Sequence, residues 1–529
     1  MTKRTPTGTG KGGRERAVTG AFDAADIDEL GIRSVCNDSR RLLAGDTFLA
    51  YPGAAADGRA YIAEAIAKGA ATVLWDPDGF TWNPRWAVAN RPVPGLRLHV
   101  GAISARVYGN PSDSLWMIGV TGTNGKTSCS QWIAEALTRC GRKTAVIGTL
   151  GVGMPGALEP SPNTTPDAVF VNERLADFVS QGIKGCSMEV SSHALAQDRL
   201  SDLKFDVGML TNLTRDHLDY HGTIRSYKAA KARLFRNRGI KFAALNFDDP
   251  FGAELGTGIK RRGLEILGYG FTRTTRRRPA VYGHKLEVDA RGVAFEIESP
   301  WGKARLVSPL IGRFNALNLL GSLTAIAASG IGLEQAVRAL AKVRSAPGRM
   351  QRLGGGARPT VVIDYAHSPD AMEQVLASLR EALLAGAPPP SALGGRERGG
   401  WRIPIAASLR GPRLICVFGC GGERDRGKRP LMGKVASRLA DSVIVTSDNP
   451  RGEDPRAIIH DIVAGIEGPY RVEPDRAEAI RIAVESARRG DVVVIAGKGH
   501  ETFQEIHGER RPFSDVEVAL QCLEDAGGA

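Results

Sequence analysis

The sequence predicts an α/β protein with parallel sheets in more than one domain. At ~150 residues per domain, the 529 residues of the chain suggest three or four domains. Short apolar segments alternate with helical segments in residues 114–346, which is typical of a parallel sheet covered on both faces. Residues 347–529 repeat that alternation and predict a second, smaller doubly wound domain.

The N-terminal part has the most mixed pattern. Residues 1–20 are polar and rich in glycine, and we expect a disordered lead there. Within residues 21–113, apolar periodicity over Tyr61–Ala67 predicts a helix that ends at Gly69, and a strand over Thr72–Trp75 follows it. Asn110-Pro111-Ser112 is typical of a linker to the next domain.

The middle part repeats a strand-loop-helix unit. Its strands are predicted at Met117–Val120, Ala145–Ile147, Gly185–Val190 and Phe205–Leu210. Its helices are predicted at Ser128–Arg139 and Ala168–Gln181. After Tyr269, alternation over Val281–Glu298 predicts inserted antiparallel strands ahead of a helix over Asn315–Ala328.

In the final part, strands alternate with helices again. The strands are predicted at Thr360–Asp364, Leu414–Phe418, Ser442–Val445 and Asp491–Ile495. Residues 386–410 contain three consecutive prolines and paired glycines, and we expect them to form a long loop insertion.

The basic charge of the chain is concentrated in three segments. The formal net charge is +13, which by itself would suggest a partner such as a nucleic acid. Residues 1–20, 260–280 and 386–413 carry net charges of +4, +6 and +4, so the remainder is near −1. The excess of basic residues therefore lies in a tail and in loops. The sequence contains no recognised nucleic-acid-binding module beside them.

The cysteines and the apolar segments indicate the compartment. Seven cysteines, an odd number without a CxxC pair, are typical of reduced thiols in the cytosol. The basic N-terminal residues are not followed by the apolar segment that a secretory signal requires. The sequence also has no run of ~18 apolar residues that could span a membrane. We expect a cytoplasmic protein without membrane insertion.

A glycine-rich loop follows the first strand of the middle part. Gly119 to Thr127 read GVTGTNGKT and lead into a helix, which is the context of a phosphate-binding loop. Backbone N–H groups and the helix N-terminus would bind phosphate oxygens. Lys126 would contact the β- and γ-phosphates, and the Thr127 hydroxyl would bind Mg²⁺. Val120 departs from the general pattern, which has glycine at that position.

Acidic and histidine residues follow two neighbouring strands. Glu189 ends one strand, and His217 lies between two aspartates after the next. Ligands bind at the carboxyl ends of parallel strands, so Glu189 is a candidate for Mg²⁺ beside Thr127, and His217 for a second metal or a phosphate. Helix caps or solvated loops are the alternatives. Lys231 lies in a plain helical segment and, on that pattern alone, is expected to be solvated like Lys228.

Ten motifs, in order along the chain, resemble those of the Mur ligases. They are Thr121–Thr127, Asn163–Pro166, Glu189–His193, Asn212–His221, Ala230-Lys231, Gly348–Met350, Asp364–His367, Gly421–Asp425, Asp448–Arg451 and Gly497–Glu501. The family's phosphate loop shares the departure at Val120. The motifs are most similar to those of members that add diaminopimelate to a uridine-linked muramoyl dipeptide, a step of peptidoglycan precursor synthesis.

The resemblance implies three domains and a mechanism. Residues 21–113 would bind the UDP-sugar, residues 114–346 would bind ATP, and residues 347–529 would form a Rossmann-like domain for the amino acid. The γ-phosphoryl group of ATP would pass to the substrate carboxylate, and the amine would displace phosphate from the acyl phosphate. Positioned cations would supply most of the stabilisation.

The resemblance also implies the site residues. ATP would contact Gly122, Thr123, Asn124, Gly125, Lys126, Thr127, Asn318, Arg349 and Asp364. The UDP-MurNAc-dipeptide would contact Ser39, Asn163, Thr164, Thr165, Ser191, Gln197 and Arg199. Two Mg²⁺ ions would involve Thr127, Glu189, His217 and Lys231, the lysine as a carbamate; Lys126, His217 and Lys231 are the expected catalytic residues.

The amino acid would be meso-diaminopimelate, bound by Arg424, Asp448, Asn449, Pro450, Arg451, Gly497 and Glu501. Arg451 would pair bidentately with the distal carboxylate, which lysine lacks. Arg424 would bind the other carboxylate and Glu501 an ammonium. A turn is the alternative interpretation of Asp-Asn-Pro.

Three alternatives remain at this point. One is another amide ligase, such as a lysine-adding or folyl-polyglutamate-type enzyme, and Arg451 argues against it. Another is a basic nucleic-acid-binding protein, which the lack of interleaved aromatic residues disfavours. The third is an inactive relative, which the complete set of Lys126, Glu189, His217 and Lys231 disfavours. We expect a monomer that acts on small molecules and binds no nucleic acid.

Overall fold

The computed structural model describes residues 24–53, 56–237, 239–259, 261–273, 279–385 and 411–525. The predicted disordered lead, at 1–20, and the predicted loop insertion, at 386–410, lie outside these residues. The chain divides into two compact units, Met1–Asn110 and Pro111–Ala529. The division falls within the predicted linker. The other predicted domain boundary, near residue 346, stays a prediction.

The described part of the N-terminal unit contains a parallel sheet of four strands in sequence order. The strands are Val35–Cys36 (β1), Thr47–Ala50 (β2), Thr72–Trp75 (β3) and Ala89–Pro92 (β4). The helices are Ala24–Glu29 (α1), Ile62–Ala67 (α2) and Leu96–Val107 (α3). The prediction of β3 is confirmed. Helix α2 begins one residue later than predicted, because Tyr61 closes a 3-10 turn over Gly58–Tyr61.

The second unit begins with a large mixed sheet. Its strands are Trp116–Thr121 (β5), Thr144–Gly148 (β6), Gly151–Met154 (β7), Ala157–Glu159 (β8), Gly185–Glu189 (β9), Val207–Leu210 (β10), Phe242–Asn246 (β11), Glu265–Gly270 (β12), Val281–Asp289 (β13), Gly292–Ser299 (β14) and Gly302–Ser308 (β15). In space they follow the order β15-β14-β13-β12-β11-β10-β5-β9-β6-β7-β8. The central pairs from β12 to β6 are parallel.

Helices cover both faces of this sheet. They are Lys126–Arg139 (α4), Ala168–Ser180 (α5), Ser192–Ala196 (α6), Leu218–His221 (α7), Ile224–Ala232 (α8), Pro250–Gly258 (α9), Arg313–Ala328 (α10) and Leu333–Leu340 (α11). Ile118 and Val120 of β5 belong to the core with α4 and α10, whereas Met117 belongs to the core with α5. Alternate residues of one strand thus enter different cores, as the apolar runs predicted.

The antiparallel insertion is confirmed. β13, β14 and β15 pair antiparallel, and β13 joins the main sheet through a short parallel pairing with β12. Several predicted boundaries are wrong by one or two residues, such as the start of α10 at Arg313 rather than Asn315, and two of these shifts have a visible cause. Helix α4 begins at Lys126 rather than Ser128, because Gly125 adopts the left-handed cap conformation. Strand β10 begins at Val207 rather than Phe205, and the Asp206 carboxylate there accepts the Met117 N–H at 2.9 Å.

The last part of the chain contains a smaller sheet. Its strands are Gln351–Gly354 (β16), Thr360–Asp364 (β17), Leu414–Phe418 (β18), Ser442–Val445 (β19), Arg471–Val472 (β20) and Val492–Ala496 (β21), and a hairpin of Phe503–Ile506 (β22) and Glu509–Pro512 (β23) follows. The spatial order is β16-β17-β21-β18-β19-β20, and only the β16–β17 pairing in this described sheet is antiparallel.

Five helices of the described residues pack against the smaller sheet and its loops. They are Pro369–Ala385 (α12), Lys428–Leu439 (α13), Pro455–Val463 (α14), Arg476–Ser486 (α15) and Asp515–Asp525 (α16). The four predicted strands are confirmed, with one corrected start: β21 begins at Val492, because the Asp491 side chain accepts the Arg413 N–H and guanidinium. No helix among the described residues is long and apolar enough to cross a membrane.

Candidate active site

The phosphate loop connects β5 to α4 and requires its glycines. A Cβ on Gly122 would lie 1.8 Å from Thr211 Oγ1, and one on Gly125 would lie 2.8 Å from Asn318 Oδ1. Both glycines also have positive φ, at +151° and +85°. Lys126 lies across this loop, and its Nζ donates to the carbonyls of Gly122 at 3.1 Å and Thr123 at 2.9 Å.

Glu189 ends β9, which pairs with β5, so its carboxylate lies beside the start of α4. The carboxylate accepts hydrogen bonds from Thr127 Oγ1 at 2.9 Å, the Thr149 N–H at 2.7 Å and Thr149 Oγ1 at 3.1 Å. The side chain is fully buried, and Gly148 leaves the space it fills. The structure therefore joins Glu189 and Thr127, as the sequence predicted, into a set of hard oxygen donors.

Histidines and tyrosines form a cluster next to these oxygen donors. The His217 ring lies 4.8 Å from the His193 ring and 6.1 Å from the Tyr227 ring. His217 has φ of +54°, and its Nε2 lies 3.5 Å from Asp216 Oδ2. Burial lowers the pKa of His217 to about 4, so the imidazole is neutral near pH 7. A neutral imidazole can bind a metal ion.

Lys231 is buried, so the solvated lysine predicted from the helical pattern alone was wrong. It is 1% exposed, and its Nζ donates to the Gly122 carbonyl at 2.6 Å and lies 4.5 Å from the centre of the Tyr227 ring. Among the described residues no carboxylate forms a salt bridge with it. Burial, and then the nearby Lys126 ammonium, hold the pKa of Lys231 well below its ordinary range. Lys228, three residues earlier, is the lysine that pairs with Glu254.

Six of the seven residues expected to bind the UDP-MurNAc-dipeptide, all except Ser39, line the same cavity of about 780 Å³ as the phosphate loop. They are Asn163, Thr164, Thr165, Ser191, Gln197 and Arg199. The Arg199 guanidinium donates to Gln197 Oε1 at 2.6 and 2.9 Å and to the Thr165 carbonyl at 2.8 Å. These bonds hold the Arg199 cation at the wall of the cavity. No carboxylate among the described residues forms a salt bridge with it.

The residues expected near the adenine, phosphate and ribose of ATP also line this cavity. Asn318 of α10 contacts the phosphate loop, whereas Arg349 and Asp364 come from the final part of the chain. Arg349 donates to Thr127 Oγ1 at 3.3 Å and stacks 4.2 Å from the Tyr365 ring. The buried Asp364 accepts the N–H groups of Met350 and Ala366, both at 2.8 Å.

The turn that presents Arg349 supplies a testable stability effect. Gly348 has φ of +66°, and a Cβ there would lie 2.1 Å from the backbone N of His500. Gly330 has a similar φ of +84° with open space around it. We expect Gly348→Ala to lower the free energy of unfolding by about 1–3 kcal/mol more than Gly330→Ala, measured from urea unfolding. Equal losses in the two variants would show that the backbone at His500 tolerates the methyl group.

The residues expected to bind the amino acid form a separate cluster at the carboxyl ends of β18, β19 and β21. Asn449 Nδ2 donates to Glu501 Oε2 at 2.8 Å. Gly497 has φ of +117°, and a Cβ there would lie 2.4 Å from Asp448 Oδ2. The two loops can approach this closely only because residue 497 is glycine. Lys498, which the sequence reasoning missed although it lies inside a quoted motif, is fully buried and donates to both Asn449 Oδ1 and Glu501 Oε2.

Arg451 lies on the rim of this cluster. It has φ of +53°, its Nη1 donates to the Gly422 carbonyl at 2.7 Å, and its Nε lies 3.8 Å from Glu505 Oε2. Gly422 packs against the Pro450 carbonyl, where a Cβ would lie only 2.0 Å away. The Arg424 side chain, on the preceding loop, is exposed. In the N-terminal unit, Ser39 is buried and donates to Glu64 Oε2 at 3.0 Å.

Family models match most of the chain. A "Mur ligase family, catalytic domain" matches residues 31–108, a "Mur ligase middle domain" residues 120–326, and a "Mur ligase, glutamate ligase domain" residues 348–387 and 404–499. The chain belongs to the Mur ligase family. The resemblance stated from the motifs is thereby confirmed, and so is the α/β class of this Mur ligase.

Curated relatives and solved structures agree with this assignment. A Nitrosomonas europaea protein named UDP-N-acetylmuramoyl-L-alanyl-D-glutamate–2,6-diaminopimelate ligase is 48% identical over 507 residues, 94% of each chain. A Chromobacterium violaceum protein of that name is 46% identical over 95% of this Mur ligase and 97% of the relative. A solved structure of a ligase of that name has 35% identity and a TM-score of 0.64, covering 94% and 95% of the two chains.

The fold extends to more distant members. The MurF ligase from Thermotoga maritima, solved in complex with ADP, has 19% identity and a TM-score of 0.63, and the match covers 95% of this chain and 100% of that one. At this identity the likeness shows the common fold.

Proposed function

We propose that this Mur ligase uses ATP to add meso-2,6-diaminopimelate to UDP-N-acetylmuramoyl-L-alanyl-D-glutamate, in peptidoglycan precursor synthesis. The observation that carries the proposal is the loop cluster at Asp448–Arg451. It presents a half-buried guanidinium, Arg451, on the same loop as Asn449, which is bonded to the Glu501 carboxylate. A cation and an anion placed together match an amino acid that has both a carboxylate and an ammonium at its distal end. The names of the relatives support the same substrate.

The cavity supports phosphoryl transfer to a carboxylate. Lys126 donates to two loop carbonyls and would turn to the ATP phosphates, and the N-terminus of α4, which begins at Lys126, would add backbone N–H donors. Arg349, held against Tyr365, adds a second cation beside Thr127. Arg199, which lines the same cavity, would hold the anionic substrate. Three cations therefore line the cavity in which an acyl phosphate would form.

The donors fit magnesium. Thr127 and Glu189 offer a hydroxyl and a buried carboxylate 2.9 Å apart. Among the described residues, no three side chains of histidine, cysteine, aspartate or glutamate are grouped so that they could hold a metal ion by themselves. Mg²⁺ keeps several waters and phosphate oxygens as ligands, so two protein oxygens suffice for one ion. His217, neutral at physiological pH, would hold a second ion. Bound Mg²⁺ would neutralise the phosphate oxygens during transfer.

Lys231 fits carbamate formation. CO₂ reacts with a neutral amine, and burial beside Lys126 favours that form. The product would carry a negative charge where the free lysine has no carboxylate partner among the described residues. That charge would compensate Lys126 and add oxygen donors near His217. The monomeric state and the cytoplasmic location remain predictions from the sequence.

The reaction itself tests the proposal. ADP formation should require both the uridine-linked muramoyl dipeptide and meso-diaminopimelate, and it should be unaffected by added DNA or RNA. L-Lysine should be a poor substrate, because Arg451 would be left without a carboxylate partner. Equal turnover of L-lysine by the unmutated protein would refute the assignment of the amino acid.

A further inference from the structure

A fully buried ion pair lies directly behind the amino-acid cluster. Arg476 is the first residue of α15 and Asp515 the first residue of α16, and both side chains are 0% exposed. Arg476 donates from Nε to Asp515 Oδ1 at 2.7 Å and from Nη2 to Asp515 Oδ2 at 2.8 Å. Two parallel hydrogen bonds of this kind fix the plane of the guanidinium.

The remaining donors of Arg476 reach both loops of the cluster. Nη1 donates to the Ser447 carbonyl at 3.2 Å, and Nη2 donates to the Ala496 carbonyl at 3.0 Å. Ser447 directly precedes Asp448, and Ala496 directly precedes Gly497. One planar group therefore joins the chain segments that follow β19 and β21. An ammonium could not make these four bonds in one plane, because it lacks the fixed fork of donors.

On the substrate side, the same two loops contact each other within narrow tolerances. Asn449 bonds to Glu501, and Gly497 approaches Asp448 too closely for any side chain. A change in the spacing of the loops would move Asp448 and Glu501 relative to each other. Apolar residues can replace a buried ion pair without loss of stability, so stability alone gives little reason for Arg476 and Asp515 in this core.

We infer that Arg476 is a positioning residue for the incoming amino acid. With Asp515 it sets the distance between the loop of Asp448 and Asn449 and the loop of Gly497 and Glu501. The inference rests on the proposed function, because it takes the amino-acid site to lie at these loops. It gives Arg476 no direct part in binding ATP or the uridine nucleotide, because its hydrogen bonds go to Asp515 and to the carbonyls of Ser447 and Ala496.

The test compares two buried or half-buried arginine–aspartate pairs in the full-length protein. Arg413 bonds to Asp491 at 2.7 and 3.0 Å, at the opposite end of β18 and β21. We expect Arg476→Lys to raise the KM for meso-diaminopimelate on the order of 10-fold and to leave the KM values for ATP and the muramoyl dipeptide unchanged. Arg413→Lys should lower the melting temperature without changing any KM.

Hydrogen exchange provides a readout that does not depend on the substrate. The backbone amides of residues 447–449, 451 and 497–501 should exchange faster in Arg476→Lys than in the unmutated protein or in Arg413→Lys. If Arg476→Lys does not fold, Asp515→Asn is measured in the same way. An unchanged KM for meso-diaminopimelate, an equal rise in all three KM values, or unchanged exchange at both loops would overturn the inference.

The two proposals can fail separately. An unmutated protein that does not use meso-diaminopimelate would contradict the proposed function, while the exchange rates would still decide whether Arg476 holds the loops. If the unmutated protein is active and Arg476→Lys has the same KM for meso-diaminopimelate, only the positioning role is contradicted.

Discussion

Lys231→Ala should reduce ligase turnover by about 10²- to 10³-fold, in the range observed when one group that stabilises a transition state is removed. The loss follows from the position of Lys231, whose amine lies under the phosphate loop at 2.6 Å from the Gly122 carbonyl. A carbamate there would place beside Lys126 a negative charge that the free lysine does not supply. Turnover would be measured as ADP release with saturating substrates.

Lys228→Ala is the matched control, because Lys228 belongs to the same helix but pairs with Glu254 at the surface. It should leave turnover unchanged. Independently of activity, ¹³C-labelled bicarbonate should give a carbamate carbon signal in the unmutated protein and no such signal in Lys231→Ala. An active enzyme that never shows the signal would show that Lys231 acts as a free amine.

Arg451→Ala should lower kcat/KM for meso-diaminopimelate on the order of 100-fold, because a charge-assisted pair with the distal carboxylate would be lost. The KM for ATP should stay unchanged, since the expected ATP residues lie in the cavity around the phosphate loop and not at this loop cluster. The preference for meso-diaminopimelate over L-lysine should narrow in the same variant, because the substrates differ at that carboxylate.

Arg456→Ala is a suitable control for this experiment. Arg456 is exposed on α14, five residues after Arg451, and its loss removes the same charge without touching the cluster. Its kinetics should match those of the unmutated protein. If Arg451→Ala and Arg456→Ala behave alike, the guanidinium of Arg451 does not select the amino acid.

Much of the fold could be predicted because it depends on local pattern. Buried parallel strands are continuous apolar runs, so β17, β18 and β19 were predicted with the bounds that the structure has. Errors occurred where a side chain or a cap ends an element. Asp491, Asp206 and Gly125 each displaced a boundary, because the hydrogen bonds or backbone angles at those residues replace the regular pattern.

The order of the strands could not be predicted in the same way. β5 lies between β9 and β10, although both follow it in sequence by more than 60 residues. This order brings Thr127, Glu189 and Thr211 to one edge of the sheet. The motifs named the residues of the site, but only pairing across the sheet determines which of them meet.

The sequence by itself determined the family, the phosphate loop and the residues expected in the two substrate clusters, because these are encoded in short motifs. The helical pattern alone could not distinguish Lys231 from Lys228, which lie three residues apart on one helix; only the family motif marked Lys231, and only the structure shows what packs over it. The sequence contained no signal for Arg476, which lies in none of the quoted motifs. The tertiary structure decided these roles, because burial removes water from a charged group. The chemistry of a buried charge then depends on the groups packed around it and not on its position in the chain.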